Sequence, residues 1–228
     1  MIKLDYTNRT HNALLKFSAL SGILAAILPL IVLPISGYIQ PNYSHIENLI
    51  SELNQRGLPH SLQIGYFGFL PIGLVTLLFI WRLKFEIVHS KRSLVGLLFV
   101  ALSGADWIVT VLAPCDPGCP KLGDISLSQK IHNLSGFLTL VLVPVGVYLL
   151  IKPLRDSGFG KAVTVMSVIT LVNVVVTFPI FLFNISLGSP GLIQRLDLGV
   201  FLVYLSLLSI KIYARMLQPK NMTDEADF

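Results

Sequence analysis

Few side chains of this 228-residue chain can do chemistry in an apolar setting, and their types and spacing are specific. Asp106, His132 and Arg195 interrupt or open long apolar runs, with Asp197 two residues after Arg195. Glu52 and Arg56 stand four residues apart with the acid first, the better orientation for a helical ion pair. Carboxylates beside a histidine suit water activation or proton transfer. An arginine suits a phosphate, because it engages two oxygens at once. Cys115 and Cys119 are the only cysteines, and they bracket Asp116-Pro117-Gly118.

Three chemistries are open to that cysteine pair: a closed turn, a redox switch or a metal site. Proline presets the second position of a turn and glycine accepts positive φ at the third, so the segment brings the two sulfurs together. A disulfide closing so small a loop contributes roughly 2 kcal/mol on the loop-entropy argument. A metal would need further ligands, from Asp116, Asp124 and His132, and two cysteines alone are no zinc signature. The disulfide is the expectation, and no metal is assigned.

The elements that must position these residues are membrane spans. The chain is 54% hydrophobic and 13% charged, where a soluble domain carries about 25% charged residues. Apolar runs of about 20 residues, the length that crosses a hydrocarbon core, recur throughout. They predict an all-α integral membrane bundle of six transmembrane helices in one domain, 1–228. The spans fall at about 14–38, 62–81, 93–113, 133–151, 161–183 and 195–214. The first is too long for a cleaved signal peptide.

Lysine and arginine set the orientation. With the N-terminus inside, thirteen basic residues lie in inner segments and four (Arg56, Lys121, Lys130 and Arg195) in outer ones. Both termini are then cytoplasmic; in a prokaryotic cytoplasmic membrane, the expected location, the cysteine turn would face an oxidising exterior. The net charge of +5 reflects this bias. The basic residues are dispersed, so no nucleic-acid partner is expected.

The first outer loop, 43–61, carries its own pattern. Ser44 and Glu47 have capping-box spacing. Ile46, Leu49, Ile50 and Leu53 form one apolar helical face, and Gly57 and Pro59 stop it. This predicts a short amphipathic helix from about 45 to 56, lying over the bundle. Glu52 and Arg56 are then either a solvated pair or aimed partly at the bundle.

Apart from Asn173, whose ordinary role is an interhelical hydrogen bond, the polar groups sit in the outer third. Asp106 needs a partner or a hydrated cavity, because a carboxylate at membrane depth costs several kcal/mol. His132 or Arg195 would make it a structural ion pair. Convergence with Glu52 and Arg56 would instead make one outward-facing pocket. The even spans also begin alike, with Gly68, Gly136 and Gly199 in register, as in three helical hairpins.

The motifs "ISEL" (Ile50–Leu53), "PCDPGCP" (Pro114–Pro120), "HNLSGF" (His132–Phe137) and "GLIQRL" (Gly191–Leu196) resemble the membrane family known as domain of unknown function 998. The resemblance covers nearly the whole chain. It implies a multi-span bundle and no activity.

Three functions fit these residues. The first is binding of an amphipathic or lipid-like ligand at the outer leaflet, its polar end held by Glu52, Arg56, Asp106, His132 and Arg195. The second is an intramembrane hydrolase acting on a lipid, with or without a metal. The third is a small proton-coupled transporter using Asp106. Membrane lipid and an amphipathic small molecule are the expected partners. Cofactor, catalytic residues and oligomeric state are not defined by the sequence.

Overall fold

The computed structural model describes residues 3–87, 90–182 and 189–217, with side chains described over 16–17, 19–87, 90–180 and 189–215. Among the described residues all regular structure is helical. Six long helices form: α1 (Lys3–Ile39), α2 (Ser61–Ile87), α3 (Lys91–Leu112), α4 (Leu127–Asp156), α5 (Lys161–Leu182) and α6 (Pro190–Leu217). Each contains a stretch long and apolar enough to cross a membrane. The six expected spans are therefore present, although α4 starts at Leu127 rather than 133 because Ser126 caps it, accepting from the Gln129 N–H at 3.1 Å.

The helices form a ring in chain order, each packing mainly on the one before and the one after, with α6 closing against α1. Small residues set the tightest approaches. A Cβ on Gly73 of α2 would lie 2.7 Å from the Gly104 carbonyl of α3, and one on Gly146 of α4 would lie 2.7 Å from the Gly96 carbonyl of α3. Both termini of the bundle lie at one end, called here the termini face. The 43–60 and 113–126 connections lie at the other, the loop face.

The two halves of the ring are packed differently. On the termini side one cluster draws on all six helices, including Ala25, Phe79, Val100, Val147, Val163 and Leu208. On the loop side the cluster is Leu33, Ile50, Leu53, Ile64, Phe69 and Val111, with Leu198 packed against it; α4 and α5 supply none of it. From Lys130 to Leu142 no residue of α4 is buried. A Cβ added at Gly136 or Gly199 would meet nothing within 4 Å, whereas one at Gly68 would run into Val32. The three registered glycines thus have unlike surroundings.

The short loop helix expected over about 45–56 is present but shorter: a turn over residues 44–48 precedes a 3-10 helix, Ile50–Asn54. Ser44 does accept from the Glu47 N–H at 3.3 Å, but the Asn48 side chain, not Glu47, takes the Ser44 N–H at 2.8 Å. Leu49 is extended, with φ −64° and ψ 152°, because Glu52 folds back to accept its N–H at 2.8 Å. A residue fixed in that conformation ends the first turn and starts a second.

Candidate functional site

Arg195 lies one turn into α6, and its guanidinium serves the loop. Nη1 donates to the Asn48 carbonyl at 3.1 Å and to the Gly191 carbonyl at 2.9 Å. Nη2 donates to the Tyr43 hydroxyl, which donates in turn to the Leu49 carbonyl at 3.0 Å. The neighbouring Gln194 accepts the Ile50 N–H at 2.6 Å, and the Leu192 N–H reaches the Ile46 carbonyl at 3.0 Å. Burial pushes the Tyr43 phenol up and outweighs the opposing hydrogen bond from Arg195, so it stays a neutral donor. Burial, then the Arg195 charge, lowers His45, which therefore sits as a neutral ring against Tyr43.

Glu52 belongs to the same clamp but spends both oxygens locally. One accepts from Leu49, the other from the Asn48 amide at 2.7 Å. Glu52 and Arg195 are thus joined through Asn48, not to each other. The expected Glu52–Arg56 pair does not form. Once the backbone extends at Gln55, Arg56 turns to the cysteine turn, where its guanidinium lies 3.5 Å from Asp116 and its N–H donates to the Cys115 carbonyl at 2.9 Å.

Cys115 and Cys119 are joined by a disulfide with Cα atoms 5.1 Å apart. The Cys119 N–H closes the turn on the Asp116 carbonyl at 2.9 Å, and Gly118 has φ +76°. That is the geometry the proline–glycine pair favours. Asp116 accepts from the Ser126 N–H at 2.9 Å and its hydroxyl at 2.7 Å. Those two bonds, then the Arg56 charge, hold its carboxyl below the usual range despite some opposing desolvation. The turn docks on the 3-10 helix through the Gly118 N–H, which donates to Gln55 at 2.8 Å. Intact-mass measurement under alkylating conditions is expected to find no free thiol. A Cys115→Ser variant is expected to melt earlier, by no more than roughly 2 kcal/mol of stability. Two alkylated cysteines in unreduced protein would contradict the bridge.

His132 lies beneath this turn on α4, its Nδ1 3.1 Å from the Ala113 carbonyl. Asp106, on α3 and six residues before its end at Leu112, is about 9 Å below the loop face. Its carboxylate accepts from the Ser135 hydroxyl on α4 at 2.5 Å and stands within electrostatic reach of His132. Among the described residues no cation pairs with it. The structural ion pair with Arg195 or His132 is therefore not formed; Arg195 is turned to the loop.

A second carboxylate has matching surroundings. Asp197 lies seven residues into α6 from Pro190, about 10 Å deep. It accepts from the Asn173 amide and, at 2.9 Å, from the Thr177 hydroxyl, both on α5. Asn173 does make the interhelical bond expected of it, and its acceptor is this charge. Among the described residues Asp197 likewise has no cationic partner.

The five expected site residues therefore fall into three places. Glu52 and Arg195 share the loop clamp, Asp106 and His132 share the α3–α4 seam, and Arg56 sits at the cysteine turn. Arg56 also lines a loop-face cavity of about 370 Å³ with Leu62, Tyr66, Val111 and Pro114. Sequence reasoning missed Tyr43, Asn48, Ser135, Thr177 and Gln194. Two of these carried a signal: Ser135 is one turn after His132, and Thr177 one turn after Asn173.

A family model described as "Protein of unknown function (DUF998)" matches residues 23–211. No curated protein and no solved structure matches the chain.

Proposed function

Because the chain belongs to the DUF998 family, whose description carries no activity, we propose a function from the geometry: it binds an amphipathic ligand drawn from one leaflet. The head group enters the loop-side half of the ring, and the tail lies along the loosely packed stretch of α4 and α5. One observation carries this reading. Asp106 and Asp197 lie at similar depth, each held by neutral donors alone, beside a half of the bundle that α4 and α5 leave out of the core. Intramembrane carboxylates without cations mark ligand, ion or proton sites. A site built on either carboxylate selects a head group that donates hydrogen bonds or carries positive charge. A phosphate-binding role for Arg195 is not part of this reading, since its guanidinium is engaged with the loop.

Transport is the second reading, and Asp197 gives it a second carboxylate. The termini-side cluster, built from apolar side chains of all six helices, favours binding over passage. Mass spectrometry of lipid extracted from purified protein tests the reading. A stoichiometric amphiphile with a hydrogen-bond-donating or cationic head is expected. Protein that purifies without any such molecule, or that moves a charged solute across proteoliposomes, would defeat it.

The leaflet follows from the thirteen-to-four distribution of basic residues. It puts the loop face outside and both termini in the cytoplasm. A cysteine placed at Asp156 is expected to react only with label admitted to the cytoplasm, and one at Leu122 only with external label. The reverse pattern would invert the proposal.

A further inference from the structure

The cysteine turn holds more than a bridge. The Sγ atoms of Cys115 and Cys119 and a ring nitrogen of His132 all lie within 4.8 Å of one another. The sequence offered Asp116, Asp124 and His132 as further ligands; Asp116 is occupied by Ser126 and Arg56, and the start of α4 brings His132 across.

We propose that the dithiol form of this turn is a binding site for a thiophilic d10 cation, Zn²⁺ or Cu⁺, with Cys115, Cys119 and His132 as ligands. Two cysteines with three residues between them fall within the usual spacing of paired zinc ligands. Zn–S bonds of about 2.3 Å at a tetrahedral angle place the two sulfurs about 3.8 Å apart. The sulfurs need separate by less than about 2 Å from bonding distance to reach it. The surrounding turn is fixed from outside by Gln55, Arg56 and Gln129, whose bonds are to backbone and not to sulfur.

His132 is set up for the task. The Ala113 carbonyl can only accept, so Nδ1 carries the proton and Nε2 keeps its lone pair. Metal-bound histidines commonly have their other nitrogen held by a carbonyl in this way. Charge also fits: two thiolates and a neutral imidazole cancel a divalent ion, and an uncharged site is the least costly at an apolar boundary. Cys115 is 0% and Cys119 7% exposed, so the ion would be largely shielded from water. Three protein ligands leave one position for water.

The redox step balances with a dithiol as reductant. The Cys115–Cys119 bond breaks, the two cysteines take up two electrons and two protons, and the reductant closes to its own disulfide. Zinc binding then releases both thiol protons and forms two Zn–S bonds and one Zn–N bond. The bridge and the metal are therefore mutually exclusive occupants of one turn. This inference uses neither Asp106 nor Asp197 and stands apart from the ligand reading.

The test uses the full chain in detergent micelles, oxidised or reduced with a phosphine that is then removed. Reduced protein is expected to retain one equivalent of Zn²⁺ on dialysis, and oxidised protein none. Co²⁺ added to the reduced protein is expected to give thiolate charge-transfer absorption and the visible bands of a tetrahedral ion. His132→Gln is expected to weaken Zn²⁺ binding by more than the roughly tenfold to 100-fold cost of losing a second-shell partner. Equal zinc retention in both redox forms would overturn the proposal. So would reduced protein that takes up neither Zn²⁺ nor Cu⁺, or a His132→Gln variant with wild-type affinity. The cobalt spectrum is read on the unmutated chain, so a variant that fails to fold does not remove the test.

Discussion

Arg195→Gln is expected to destabilise the solubilised protein by about 3 kcal/mol, a large effect for one polar residue. The guanidinium bonds two carbonyls and the Tyr43 hydroxyl, and hydrogen bonds from charged donors are worth about 1.5–3 kcal/mol each in favourable cases. Glutamine is shorter and neutral and cannot span from Gly191 to Tyr43. Losing the clamp also leaves Asn48, whose carbonyl is the joint between α6 and the 3-10 helix, without its donor from α6. Gly191→Ala approaches the same joint from the other side. A Cβ there would lie 2.1 Å from the Asn48 carbonyl oxygen, a backbone atom with no rotamer to move to. Both variants should raise hydrogen exchange across 43–56 while leaving the termini-side helices protected. Because they strike one contact, the double variant should cost less than the sum. An Arg195→Gln protein of unchanged stability that has lost a bound ligand would reverse the assignment and return Arg195 to the ligand site.

That outcome bears on what could be read from the sequence. The six helices were legible because lipid imposes its rule residue by residue: a run either is apolar for about 20 positions or it cannot span. The Cys115–Cys119 turn was legible because proline and glycine fix local dihedrals. The loop was not, for a tertiary reason. Of its four apolar positions Ile50 and Leu53 face the core, while Ile46 is exposed, so the helical face holds only over the second half. What broke the helix was Leu49, held extended between a carboxylate three residues on and the Asn48–Arg195 contact 147 residues away. Arg56 likewise had a helical partner in range and took Asp116 instead. Polar residues were thus found by type, while their partners were set by which backbone carbonyls the folded loop left over. Asp106 was read as needing a partner, and its partner proved to be a hydroxyl rather than a cation.

Neutralising the two membrane-embedded carboxylates should have the opposite signature to the clamp variants. A charged aspartate costs about 2.5–3.5 kcal/mol at the centre of a span and less toward its ends, where Asp106 and Asp197 lie, and a cationic partner normally offsets that cost. Asp106 has Ser135, and Asp197 has Asn173 and Thr177, all neutral. Asparagine keeps an oxygen in place for each of these donors and removes the charge. Asp106→Asn and Asp197→Asn are therefore expected to leave stability unchanged or raise it by about 1–2 kcal/mol, within the gain that relieving a functional compromise commonly gives. Alanine at either position is expected to destabilise instead, because it strands the Ser135 hydroxyl or the Asn173 amide without its acceptor. If the carboxylates hold a head group, the stable asparagine variants should purify with the co-isolated amphiphile depleted at least tenfold, about 1.4 kcal/mol of binding. Stability and occupancy then move apart in the same molecule, a result that a purely architectural pair of aspartates cannot produce. Asparagine variants that melt earlier than wild type and keep their lipid would show that the charges serve the packing of α3 on α4 and of α5 on α6, and nothing beyond it.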